Sequence, residues 1–401
     1  MLCSTLVCHA KIKRMYKASV TTQDVLNRQV EEILPGRKEL ESVMKKKKIR
    51  LYLGVDPTGA DLHLGHAVAL RKLRQFQELG HDVILLFGTF TGLIGDPSGR
   101  DKAREPLSLE DIKKNMATYK QQAGKILDLG KGNIKNNGDW LSKLKPSDFL
   151  KISSYFTTSQ LLERDMFQKR IKKGEEVWMN ELLYPLLQGY DSVAMDVDLE
   201  IGATDQTFNM LVGRRLQKLY NNKEKFILTT PLLMGLDGRK MSKTYKNAIN
   251  ILDEPKEMYG KLMSIKDELI PHYFDLCTDI APERTQGMSR RDAKAELAKE
   301  VVRIYHGEKK AEQAEYEFTQ VFHNKEAPKD MPTVHVTKNN MPLDELLVEI
   351  GLANSKSEGR RLVEQGGVRI NKEIQKNGKK DIRVEAGWVI QVGKRKFVKI
   401  K

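Results

Sequence analysis

The chain has 401 residues, 40% of them hydrophobic and 31% charged, a soluble globular composition with enough length for two or three separate cores. No apolar run approaches the roughly 20 residues of a transmembrane helix, so neither a span nor a membrane partner is expected. The net charge of +15 points to a polyanionic partner, nucleic acid first, against the plainer reading of a well-solvated basic surface. Cys3, Cys8 and Cys277 share no CxxC spacing, which offers neither a zinc site nor a disulfide framework and implies a reducing compartment, the cytoplasm.

Residues 1–23, MLCSTLVCHAKIKRMYKASVTTQ, form a basic N-terminal extension without an acid. They read either as an organelle transit peptide or as a disordered tail with Met15 as an alternative start. Residues 24–49 read as helix, Pro-Gly break and helix, closing on a lysine run. A β-α-β pattern follows. LYLGV at 51–55 is a strand, HAVALRKLRQFQELG puts Ala69, Leu73 and Phe76 at helical spacing with Gly80 as cap, and VILLFG at 83–88 is fully apolar. Such runs belong inside a parallel sheet. An α/β, Rossmann-like doubly wound catalytic domain is therefore expected over 24–245, with ligands beyond the carboxyl ends of its strands. The glycine-rich loop GTFTGLIGDPSGR (88–100) leaves one such end.

Residues 246–322 read as charged helices, and 323–340, with its prolines and no periodicity, as a linker. Residues 341–401 give two short helices, then short strands between glycine turns, an α+β unit with a net charge of +6.

Two short motifs carry chemistry. The first, DPTGADLHLGH (56–66), sits at a strand-to-helix turn with His63 and His66 three apart. A metal site would need further ligands, and no HExxH or cysteine partner accompanies the pair. Ordinary turn histidines are the plain alternative. The third reading is phosphate binding: Pro57 and Gly59 shape the turn, Gly65 permits close approach, and the first N–H groups of the helix face an anion. The second motif, GLDGRKMSKT (235–244), holds Lys240 and Lys243 three apart between glycines. Taken alone it is a solvated basic loop; with the histidines it becomes a mobile cationic clamp for a leaving pyrophosphate.

HLGH and KMSKT resemble the HIGH and KMSKS signatures of class I aminoacyl-tRNA synthetases, with Thr244 in place of the usual serine. YLGVDPTGADLHLGH, GLIGDPSG, LLYPLLQGYDS and IGATDQTFN narrow the resemblance to tyrosyl-tRNA synthetases of bacterial and organellar type, and it covers nearly the whole chain after about residue 25. The resemblance implies activation of L-tyrosine by ATP, accompanied by Mg2+ and with no protein-bound metal, followed by transfer to tRNA(Tyr). It makes Thr58, His63, His66, Lys240 and Lys243 the catalytic set. Gly54, Asp56, Pro57, Gly65, Asp205, Gln206, Met241, Ser242 and Thr244 would frame ATP.

Tyr184, Gln188 and Asp191 are spaced four and three apart, one face of a helix, although Pro185 and Gly189 predict a kink there. By the resemblance Tyr184, Gln188 and Asp96 bind the substrate ammonium, and Asp191 and Tyr52 bind its phenolic hydroxyl. A buried polar pair of that kind rejects phenylalanine by leaving groups unsatisfied.

The carboxyl-terminal unit resembles the RNA-binding module named after ribosomal protein S-four, with Lys356, Arg360, Arg361, Arg369 and Lys372 as its tRNA contacts. The resemblance makes 246–322 the anticodon-side region and the molecule a homodimer. Three competitors stand beside it. A tryptophanyl-tRNA synthetase would want an apolar slot and an indole N–H acceptor where this chain has YPLLQGYDS. A small HxGH nucleotidyltransferase would leave the lysine loop and basic tail unexplained. A synthetase-like RNA-binding protein without activity would have no use for the intact site residues.

Overall fold

The structure, a computed structural model, describes residues 20–98, 107–130, 132–322, 331–393 and 396–401. The reading of the N-terminal extension therefore lies, for residues 1–19, outside the described residues, as do the end of the 88–100 loop and the first part of the linker. The chain divides into two compact units, residues 1–308 and 309–401. That division falls inside the stretch read as a single helical region.

In the first unit the elements run α1 (Thr22–Asn27), β1 (Glu32–Leu34), α2 (Arg37–Lys46), β2 (Arg50–Val55), α3 (Leu64–Glu78), β3 (Asp82–Phe87), α4 (Leu109–Ala123), β4 (Ile134–Asn136), α5 (Gly138–Leu141), α6 (Pro146–Ser153), α7 (Thr158–Leu162), α8 (Asp165–Lys172), α9 (Met179–Met195), β5 (Leu199–Ala203), α10 (Thr207–Asn221), β6 (Phe226–Thr230), α11 (Pro255–Met263), α12 (Ile270–Cys277) and α13 (Arg290–His306). The six strands form one sheet in the order β1-β6-β5-β2-β3-β4. All neighbours are parallel except β1, which pairs antiparallel with β6 through Ile33 and Leu228. The break expected between two N-terminal helices is thus a short edge strand. Three residues carry too little periodicity to announce it, and pairing with β6 creates it.

Leu51, Leu53, Val83, Leu85, Phe87, Leu199, Ile201, Ile227 and Leu228 are all buried, which is why these strands read as unbroken apolar runs. Gly80 ends α3 at φ +82°, the left-handed conformation that glycine adopts without strain. After β2 the chain builds outward through β3 and β4, then returns to lay β5 and β6 on the other side of β2. The carboxyl ends of β2 and β5 consequently open onto a crevice at the switch in strand order.

Helices α9 and α10 pack face to face. A Cβ at Gly189 would stand 2.8 Å from Val212 Cγ1 and 3.0 Å from the Gly213 nitrogen, so the glycine serves close helix approach. Helix α9 runs unbroken from Met179 to Met195 with Pro185 inside it.

In the second unit α14 (Glu308–Phe322), β7 (Thr333–Val334), β8 (Asn340–Pro342), α15 (Leu343–Glu349), α16 (Lys356–Glu364), β9 (Val368–Ile370), β10 (Glu373–Ile374), β11 (Asp381–Arg383), β12 (Val389–Val392) and β13 (Lys396–Ile400) follow one another. A five-stranded sheet, β10-β9-β12-β13-β7, and a β11-β8 pair enclose a core around Leu343, Leu346, Leu347, Val363, Val368 and Ile390. No helix among the described residues is long and apolar enough to cross a membrane.

Candidate active site

The crevice holds a cavity of about 670 Å³, whose lining includes every catalytic, ATP-site and tyrosine-site candidate except Pro57 and Lys243. Residues spread over nearly 200 positions of sequence meet there because β2, β3 and β5 deliver them to one end of the sheet.

The turn after β2 is braced by α4, a helix that the motifs give no hint of. Gln122 donates to the Ala60 carbonyl at 2.8 Å and accepts from Leu62 N at 2.7 Å, and Asn115 donates to the Pro57 carbonyl at 3.0 Å. His63 then caps α3 in extended backbone conformation. The two imidazoles stack with centroids 3.8 Å apart, and His66 Nδ1 accepts from the His63 N–H at 3.2 Å. Burial, with Lys243 and Lys240 nearby, lowers His63 to about 3; burial also pushes His66 well below its ordinary value. Both rings are neutral donors at physiological pH. His63 Nδ1 is buried and has no hydrogen-bond partner among the described residues. Gly65 keeps the approach open, since a Cβ there would stand 3.0 Å from the His63 ring.

The lysine loop closes over the same end. The Asn247 side chain holds it, accepting from Ser242 N at 2.8 Å and donating to Asp237 at 2.7 Å and to the Lys240 carbonyl at 3.1 Å. Beyond it, Leu64 N donates to the Ile249 carbonyl and Ile251 N to the Leu62 carbonyl, each at 2.9 Å, so the two motifs are laced together by backbone. From below, Tyr273 on α12 donates to the Met234 carbonyl at 2.6 Å. Lys240 pairs with Asp205 at 2.5 Å, and Lys243 Nζ lies 5.6 Å above the Tyr119 ring.

Deeper in, the polar groups form two clusters. In the first, Tyr184 donates to Asp56 at 2.9 Å, which also accepts from Thr91 at 2.7 Å. Asp96 accepts from Gln206 at 2.6 Å and from Ser98 N at 2.9 Å. Asn209 donates to the Gln188 oxygen at 2.9 Å. Gly88 is required here, because a Cβ would overlap the Asp56 carboxylate.

In the second cluster Asp191 is buried and accepts from Trp140 Nε1 at 2.8 Å and Asn137 Nδ2 at 3.2 Å. Burial raises its carboxyl well above the ordinary value, with those two hydrogen bonds opposing. Tyr52 lines the cavity, but its hydroxyl lies 3.0 Å from Ser192 Oγ and so already has a partner. Asn137, Trp140, Gln122 and Asn247 are the residues that sequence reading missed. Each is an ordinary polar or aromatic residue until the fold brings it to the site, and no spacing signals it.

In the second unit Lys356 pairs with Glu345 at 2.7 Å and Arg360 with the buried Asp344 at 2.8 Å. Arg361 and Lys372 are exposed and Arg369 is half-buried. Lys372 sits at φ +74° beside Asn371 at +46°, a two-residue hairpin turn that offers its side chain outward from β9 and β10.

Comparison with known proteins agrees with this geometry. Residues 44–323 match the family model described as tRNA synthetases class I (W and Y), and residues 341–386 match the S4 domain. A tyrosine–tRNA ligase of Thermotoga maritima is 47% identical over 386 residues, covering 94% of this chain and 96% of that protein. The tyrosine–tRNA ligase of Haemophilus influenzae is 45% identical, with coverage of 94% and 96%. Among solved structures, a C-terminally truncated mitochondrial tyrosyl-tRNA synthetase of Aspergillus nidulans shares the fold, with a TM-score of 0.63 at 24% identity, over 80% of this chain and 100% of that one. With the family model covering residues 44–323 and curated relatives at 45–47% identity over 94% of its length, the chain belongs to the class I (W and Y) tRNA synthetase family, in its tyrosine–tRNA ligase branch.

Proposed function

We propose that the chain joins L-tyrosine to ATP, giving tyrosyl-AMP and pyrophosphate, and then transfers tyrosine to the 3′ end of tRNA(Tyr). The observation that carries this is Asp191, a buried carboxylate that lines the cavity and is held by Trp140 and Asn137. It supplies a hydrogen-bond acceptor that a phenolic hydroxyl needs and a phenyl ring cannot use.

A tyrosine would lie with its hydroxyl at Asp191, Tyr52 as a second neighbour, and its ammonium among Tyr184, Gln188 and Asp96. Its carboxylate attacks the α-phosphorus of ATP; a C–O–P bond forms, the bond to the β-phosphate oxygen breaks, and pyrophosphate leaves with the electron pair. The carboxylate is already ionised, so no general base is required, and catalysis is positioning plus charge stabilisation. Thr58 and His63 hold the leaving phosphates, with His66 packed behind them. Lys240 and Lys243 close over the pyrophosphate, backed by Met241, Ser242 and Thr244. Asp205 and Gln206 receive the ribose and the reacting carboxyl, while Gly54, Asp56, Pro57 and Gly65 shape the floor. Mg2+ enters with ATP as part of the substrate.

The basic S4 unit supports tRNA as the second substrate, through Arg361, Arg369 and Lys372 with Lys356 and Arg360 beside them. The resemblance implies a homodimer, and Leu150, Trp178 and Met179, 71%, 54% and 69% exposed, are apolar side chains that such an interface would cover. The cytoplasm is the compartment that three cysteines without CxxC spacing favour.

Pyrophosphate exchange into ATP, run with each amino acid in turn and without tRNA, tests the reading. Exchange with tyrosine alone is expected. Exchange with tryptophan would overturn the pocket, and silence with all twenty would leave only RNA binding.

A further inference from the structure

Behind the tyrosine pocket lies a charged pair that neither motif contains. Lys225, one residue before β6, is fully buried. It pairs with the Glu200 carboxylate, donates to Ser192 Oγ at 2.9 Å, and lies 5.9 Å from the centre of the Tyr52 ring. Glu200 Oε1 accepts from Gln188 Nε2 at 3.1 Å, and Ser192 Oγ is 3.0 Å from the Tyr52 hydroxyl. One buried ammonium is thereby connected to both ends of the pocket. Gly213 makes the space, since a Cβ there would stand 2.5 Å from Lys225 Nζ.

A buried ion pair adds little stability over apolar residues of the same volume, so stability alone does not account for this one. Its geometry does. A carboxylate only accepts hydrogen bonds. While Glu200 stays ionised, the Gln188 amide must turn its NH₂ toward Glu200 and its oxygen the other way, to the side where Asn209 donates at 2.9 Å. That orientation presents an acceptor, which an ammonium needs.

We propose that Lys225 is a positioning residue for the amino-acid substrate: by pairing with Glu200 it fixes the orientation of the Gln188 amide, and through Ser192 it fixes Tyr52. The proposal rests on the tyrosine-pocket reading above.

The test is pyrophosphate exchange with the full chain, comparing the wild type with Lys225→Met and with Lys225→Met/Glu200→Gln, alongside thermal unfolding. Lys225→Met should raise KM for tyrosine about tenfold or more and leave KM for ATP within about twofold. The double variant removes the unpaired buried charge, yet its glutamine can meet Gln188 in either orientation. It should regain the wild-type unfolding midpoint and keep the raised tyrosine KM, which also decides the matter if the single variant does not fold. A double variant with wild-type tyrosine KM, or equal rises for both substrates, would overturn the role of Lys225 alone. A wild-type chain that exchanges with no tyrosine would overturn the pocket reading, and this proposal with it.

Discussion

The indole N–H of Trp140 donates to Asp191 across 2.8 Å, so an aromatic residue outside every motif aims the carboxylate proposed to read the substrate. Asn137 holds the other oxygen at 3.2 Å, leaving a fixed acceptor facing the cavity. Asp191→Ala should abolish tyrosine activation, by about 10³-fold or more, without unfolding the chain. Trp140→Phe should cost less, about 10-fold, and should fall on the KM for tyrosine. Near-normal exchange by the alanine variant would sink the assignment.

Lys240 is paired with Asp205, a partner that it would exchange for phosphate in the proposed reaction. Lys240→Ala and Lys243→Ala are each expected to slow adenylate formation by about 10²–10³-fold while leaving the tyrosine dissociation constant unchanged. Single-turnover kinetics separates the two quantities. Weakened tyrosine binding of the same size would instead place the loop's role in the ground state.

His63 is held near 3, mainly by burial, against an ordinary value of 6.5. The unfolded chain therefore binds a proton that the folded chain refuses between those two values, and stability is complete above about pH 6.5 and lost as pH falls toward 3. The unfolding midpoint of the wild type should decline more steeply from pH 7 to pH 4 than that of His63→Gln. The rate of activation should show no limb near pH 6.5 from this ring. Parallel melting curves for the two proteins would contradict the neutral-imidazole assignment.

Arg360 and Arg361 are neighbours with different work. Arg360 neutralises the buried Asp344, whereas Arg361 is exposed. Arg361→Ala should weaken tRNA binding and reduce the salt slope by about 1 with an unchanged melting curve. Arg360→Ala should instead lower the stability of the S4 unit, because it strands a buried carboxylate. Filter binding across a salt series, with calorimetry on the same samples, distinguishes them.

Met179, at 69% exposure, and Trp178 lie at the head of α9. Met179→Asp is expected to shift the particle to monomer mass in sedimentation while preserving the far-ultraviolet spectrum. An unchanged mass would remove this face from the interface.

The sequence alone determined the chemistry's skeleton. Apolar runs at β2 and β3 were legible because strands buried on both faces tolerate nothing else. The paired histidines and paired lysines were legible because phosphate chemistry confines those residue types to short, glycine-flanked turns. Tyr184, Gln188 and Asp191 could be placed on one helical face by spacing, but that Gly189 serves the close approach of α10 was not legible. Tertiary structure decided the rest. Edge strand β1 exists through its pairing with β6, and Gln122, Asn137, Trp140 and Lys225 gain their roles only through partners about 30 to 60 residues away in sequence. The physical reason is that periodicity and turn chemistry are local, while a hydrogen bond that orients a site residue depends on which strands and helices the fold sets side by side.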